Sequence, residues 1–315
     1  MKKILKNICF VLFLSVLFLT GCRFNSESEN NGLKHKQKND VNFRMEFSDQ
    51  DSVQKKDREN TQDAYKTEQI KINLSNMGDK VSVEYVRYVL NSFLTEKNVD
   101  AFLEGVTEYN EIVNWTGLVG DFEEKLQPEY DVETMSKLWE EKKGDFIGTN
   151  CRLNTFLLLK DDIEIEKVEF DDSLLFLDNS ALKEGNLLTV EEEKNFKQLF
   201  SKVKTDNTKD VQVHAKKMQE HFKIVKFSDD ARMVSVVLHD NLDGDFLFIG
   251  HVGVMLQSND GYLFVEKLAF DEPFQAIKFK SKQECYDYLY RKYEHYHDST
   301  TSKPFIMDND ELVAF

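Results

Sequence analysis

Proline is nearly absent from this chain, with 3 residues in 315, and glycine is sparse at 13. That scarcity excludes collagen-like and other low-complexity architectures. Four cysteines in so long a chain do not make a disulfide scaffold. Basic residues are in deficit: 41 Lys and Arg against 57 Asp and Glu give a formal charge of -16. Such a surface repels phosphate backbones, which argues against nucleic-acid binding through a basic footprint. Apolar residues make up 41% of the chain and aromatics 12%, with 25 Phe and 11 Tyr. That is enough for a core and excludes wholesale disorder. The length allows one large domain or two ordinary ones.

The first 22 residues set the expected compartment. Lys2, Lys3 and Lys6 precede an apolar stretch from Ile8 to Thr20, interrupted only by Ser15. This stretch is shorter than the roughly 20 residues a bilayer span takes, and it has the profile of a secretory signal. It ends in Leu19-Thr20-Gly21-Cys22, which resembles the bacterial lipobox, where a diacylglycerol is attached to the Cys sulfur before cleavage. Residues 1–21 read as signal peptide and Cys22 as the lipidated first residue, on the extracytoplasmic face of the membrane. Loss of three lysines with the leader takes the charge from -16 to -19. Anionic headgroups repel so acidic a domain, so the lipid is the expected anchor.

From Arg23 to about Thr67 polar residues dominate without apolar periodicity. Residues 22–67 therefore read as a lipidated Cys and a disordered tether, and 68–315 as a single α+β domain. Val83, Val86, Leu90 and Phe93 recur at helical spacing and predict a helix over 82–97. Asp100 is the expected cap of a second helix carrying Leu103, Val106, Tyr109 and Val113. Further helices are expected over 134–143, 191–204, 214–222 and 282–293. Between them, runs from Met233, Phe246, Tyr262 and Phe274 are β-rich and separated by Asp243-Gly244, Asn259-Asp260-Gly261 and Pro273, which predicts an antiparallel meander. The expected order is helices first and sheet late.

Three residues stand out chemically. Gly148-Thr149-Asn150 turns into an apolar segment that starts at Cys151, so the thiol is expected in the first turn of a helix. Orphan N–H groups and the helix dipole stabilise a thiolate there. His251 lies in Gly250-His251-Val252-Gly253, and the flanking glycines suggest space above the sheet for a substrate. A loop of Ser258 to Gly261 sets Gln257 opposite Tyr262 and Glu266 opposite Gly253, on the face of His251. A two-residue Asn259-Asp260 turn is expected to shift that pairing. Glu266 is then the residue that orients the imidazole, with Asp240 and Asn241 as rivals. The 239–245 loop lacks calcium-loop spacing, and the acidic stretch from Asp161 to Asp172 reads as a solvated face. His295 and His297 read as exposed and Cys285 as structural. No metal or cofactor is expected.

The stretches GTNCRLNTF, HVGVMLQSNDGYLFVEKLAFDEPFQAIKF and KPFIMDNDELV resemble the bacterial lipoproteins grouped as domain of unknown function 4300. A more distant resemblance is to the NlpC-type and CHAP peptidases, papain-like thiol hydrolases of bacterial cell walls. That likeness implies a Cys opening a helix packed on an antiparallel sheet, a His starting a strand, and a polar residue on the next strand. Cys151, His251 and Glu266 are similar to those places, with a helical insertion around 161–230. The implied activity is amide hydrolysis, with peptidoglycan peptides as the nearest substrate. The alternative is a non-catalytic envelope lipoprotein that binds a wall component or a protein partner.

Overall fold

A computed structural model describes residues 71–314. The leader, Cys22 and the tether lie outside the described residues. Within them the chain is α+β, with eight helices and a large antiparallel sheet.

The described residues begin with a strand, β1 (Lys71–Ser75), which sequence periodicity does not reveal. Helix α1 (Lys80–Asn91) begins at Asp79, whose carboxylate accepts the amides of Val81 and Ser82. It stops short of the expected Lys97, because the chain turns at 92–95 and restarts as α2 (Glu96–Ile112). Asp100 does not cap α2: it lies inside the helix and pairs with Arg87 of α1. Strand β2 (Glu123–Leu126) and helices α3 (Val132–Lys143) and α4 (Cys151–Leu159) follow. The 161–230 stretch holds α5 (Phe176–Gly185), α6 (Val190–Phe200) and α7 (Val211–Phe222), with the short strands β3 (Glu164–Ile165), β4 (Val203–Lys204) and β5 (Val225–Lys226). Helix α5 was not expected from periodicity.

The expected meander is present as β6 (Ala231–Asp240), β7 (Phe246–Ser258), β8 (Gly261–Lys267) and β9 (Phe274–Phe279), each antiparallel to the next. Helix α8 (Lys282–Tyr293) has the predicted bounds, and β10 (Phe305–Asp308) and β11 (Glu311–Leu312) close the chain. The sheet is not built from late strands alone. Its order is β11-β10-β6-β7-β8-β9-β1-β2, with β4 on β7. The first strand thus completes one side of the meander and the last strands complete the other, so both ends of the domain are tied into one sheet.

Strand alternation divides the core in two. Val252, Val254 and Leu256 of β7 pack into a cluster with Val86, Val106, Leu153 and Phe156 from α1, α2 and α4. Met255 points the other way, with Phe264 and Ile277, onto Cys285, Tyr286 and Leu289 of α8. Burying each large apolar side chain supplies about 1.5–3 kcal/mol. Helix α8 is therefore held by its apolar face against the side of the sheet to which His251 belongs.

Candidate active site

Cys151 is placed by a turn and a cap. Gly148 has φ +87°, and a Cβ there would sit 3.2 Å from the Trp139 ring. Asn150 is extended, and its side-chain oxygen accepts the Leu153 amide at 3.0 Å, which starts α4 at Cys151. A buried ion pair fixes the turn behind it. Asp178 on α5 accepts Arg152 Nε at 3.0 Å and Nη2 at 2.7 Å, and also the Asn150 amide group at 2.8 Å. Arg152 Nη1 donates to the Ile249 carbonyl at 3.0 Å and so ties the start of α4 to β7.

His251 sits beside an irregularity in β7. Val236 pairs with His251 but Val237 pairs with Ile249, so Gly250 is left over as a bulge. The β7–β8 turn is the two-residue Asn259-Asp260 turn, with Ser258 paired to Gly261. Contrary to expectation, this turn does not shift the pairing: Gln257 still meets Tyr262, since the tighter turn only adds one more pair to the same ladder. The ladder ends where Val254 pairs with Val265, and Glu266 is the next residue of β8. Glu266 Oε2 meets His251 Nε2 in a short contact, and Oε1 accepts the Tyr288 hydroxyl at 2.7 Å. Lys292 Nζ stands 3.6 Å from Oε1.

The Cys151 thiol and the His251 ring lie close enough for each to act on the other's charge. Burial would push the Cys151 thiol up, but the His251 charge, its hydrogen bond and Arg152 outweigh this and leave it lowered. Burial would likewise depress His251, but Glu266 and Cys151 raise it. Glu266 is held low against its own burial, by Lys292 and His251. The arrangement favours a thiolate–imidazolium pair backed by a carboxylate.

The site is closed. Cys151 is 5% exposed, His251 1% and Glu266 2%. Tyr293, at the end of α8, stacks on the His251 ring with centroids 5.0 Å apart, and Tyr296 packs on Tyr293 in turn. The glycines beside His251 do not leave room for a substrate. A Cβ at Gly253 would stand 2.6 Å from the Val265 carbonyl oxygen and overlap Phe264, and one at Gly250 would overlap Leu238. They admit close packing instead.

The rival candidates fall elsewhere. Asp240 accepts the Leu242 amide, and Asn241 bonds to Thr300. His295 and His297 are exposed, and Cys285 is fully buried, with its thiol pushed well up by burial. The acidic stretch is largely paired with lysines at the surface, as in Asp171 with Lys202 and Asp172 with Lys197. Among the described residues no group of three or more His, Cys, Asp or Glu is placed to hold a metal ion. Sequence reasoning missed Asp178, Tyr288, Lys292 and Tyr293. The α8 members had a signal: Cys285, Tyr288, Leu289 and Lys292 recur at three- and four-residue spacing, one buried helix face reaching the sheet.

This fold and site define an α+β domain with a Cys–His–Glu constellation between a helix start and a hairpin. The chain belongs to the family described as Domain of unknown function (DUF4300), whose model matches residues 73–313. No curated protein and no solved structure matches it.

Proposed function

We propose that the protein is a lipid-anchored thiol hydrolase of the bacterial cell envelope that cleaves amide bonds, with peptidoglycan peptides as its substrate class. The observation that carries the reading is one connected chain of side chains. Cys151 at a helix start lies within electrostatic reach of His251, whose Nε2 is held by the buried Glu266. The order Cys, His, acid and the helix-on-sheet setting are those of papain-like enzymes, and the Leu19 to Cys22 box supports anchoring through lipid on Cys22.

In this reading the Cys151 thiolate attacks the carbonyl carbon and the C–N bond breaks. The His251 imidazolium gives its proton to the departing amine. A thioester remains on Cys151. Water then attacks it, His251 takes the water proton, and release of the acid returns the proton to the pair. The Cys151 amide, an orphan donor of the first turn, faces the developing oxyanion. Glu266 keeps the ring oriented and stabilises its charged form.

The test is release of new amines from purified peptidoglycan and from its stem peptides, with Cys151→Ser as the control. Release that the control lacks supports the reading; none with either protein counts against it. The burial of Cys151 favours a second reading, a non-catalytic lipoprotein that binds a wall component or a partner. Binding without cleavage would favour that alternative.

A further inference from the structure

A groove of about 810 Å³ runs beside α8, between that helix and the β1–β9 side of the sheet. Its size is that of a small-molecule site. Its apolar floor includes Ile72 and Phe279, and Tyr288 and Lys292 line its wall. Those last two side chains are also the ones that touch the buried acid of the candidate site. Tyr288 donates to Glu266 Oε1 at 2.7 Å, and Lys292 Nζ lies 3.1 Å from the Tyr288 hydroxyl and 3.6 Å from Oε1. The groove is thus open to solvent on one side and one side chain away from the triad on the other. In a chain of charge -16 its lining is net positive, with five Lys and Arg side chains, Arg291 and Lys292 among them, against the four carboxylates of Glu124, Asp260, Glu284 and Asp287. On α8, Glu284 accepts the Lys280 amide and Asp287 accepts the Gln283 side chain, which orients both carboxylates without removing their charge.

We infer that this groove binds a small oxyanion, a carboxylate or a phosphate ester, and that its occupancy controls Cys151 through Lys292. The inference rests on the thiolate–imidazolium reading of the site but not on hydrolysis. With the groove empty, Lys292 partly neutralises Glu266. An anion bound by Arg291 and Lys280 draws the Lys292 ammonium toward itself. The Glu266 charge then acts undiminished on His251, the imidazolium is favoured, and more of Cys151 is thiolate. No bond forms or breaks in this step.

The experiment is the rate of Cys151 alkylation by iodoacetamide at constant pH and ionic strength. Inorganic phosphate and acetate are titrated in separate arms and sodium chloride serves as the reference. The expected result is a saturable rise of about fivefold over chloride, the lower range of a typical coupling between sites. Saturation by phosphate alone identifies a phosphate ester, and by acetate alone a carboxylate. Lys292→Met should start at the raised rate and show no anion response. Arg291→Ala, at an exposed position, should need about tenfold more anion to reach the same final rate; it keeps the test decisive should Lys292→Met not fold. The inference is overturned if neither anion differs from chloride, or if Lys292→Met responds as the unaltered protein does. Absence of peptide cleavage alone leaves it standing, because alkylation requires none.

Discussion

Glu266 does not pair with His251 across the ladder; it follows Val265, whose partner is Val254, and its Oε2 meets His251 Nε2. A carboxylate in the directly paired position would need the register shifted, which would carry every core residue of β8 with it. The hairpin therefore fixes the third member of the candidate triad as firmly as it fixes the core.

Replacement of the three residues should give graded losses of peptide cleavage. Cys151→Ser should lower turnover by about 10³-fold or more, and His251→Ala by about 10²–10⁴-fold. Glu266→Gln should cost less, because the amide oxygen can still accept from the ring while no longer stabilising its charge. Steady-state cleavage of a stem peptide measures all three. A Glu266→Gln loss equal to that of Cys151→Ser would mean the carboxylate does more than orient.

Asp178 is fully buried and binds both Arg152 and Asn150. Asp178→Ala should destabilise the domain by about 3–5 kcal/mol, since it leaves the Arg152 charge without its partner. Urea unfolding checks this. Because the pair sets the start of α4, the same change should slow Cys151 alkylation under conditions where the domain stays folded.

Acid should weaken the site in a definite window. The folded-state value of Glu266 is about 2, below its ordinary 4.5. A lowered carboxylate contributes stability that is complete above 4.5 and is lost as pH falls toward 2. His251 runs the other way: raised from 6.5 to about 9, its contribution is complete below 6.5 and is lost as pH rises through 9. Denaturation midpoints at pH 6 and pH 3 should therefore fall further for the unaltered protein than for Glu266→Gln. Equal falls would show that Glu266 carries no such linkage.

Cys22 should be the first residue of the mature protein and carry diacylglycerol. Mass spectrometry of the N-terminal peptide checks it, and Cys22→Ala should release the protein from membranes, because the acidic domain repels anionic headgroups. An unmodified Cys22 in membrane-bound protein would contradict the anchor.

Much of the site was legible in the sequence because local rules place it. The Gly-Thr-Asn turn announces the start of α4, and a hairpin with a turn signal and alternating residues fixes the face of Glu266. The turn is shorter than the sequence predicts, yet the pairing is the predicted one, since both lengths belong to one ladder. What stayed hidden depends on contacts across long separations. Strand β1 pairs with β9 some 200 residues away, and nothing in KINLS states that partner. The closure by Tyr293 and the pinning of Arg152 by Asp178 arise from packing between elements, which periodicity does not encode. The glycines beside His251 misled for the same reason: a missing Cβ can mean room for a ligand or for a neighbour, and here Phe264 and Leu238 fill it.

The most direct test of the central claim is the pH dependence of Cys151 alkylation, resolved from Cys285 by peptide mapping. The thiol is lowered from 9.0 by His251, while that of Cys285 is raised by burial. Cys151 should therefore react with a midpoint below 9.0 in the unaltered protein, and His251→Ala should move that midpoint up and slow the reaction near neutral pH. Cys285 should stay unreactive throughout. A Cys151 midpoint at or above 9.0 that His251→Ala leaves unmoved would contradict the account.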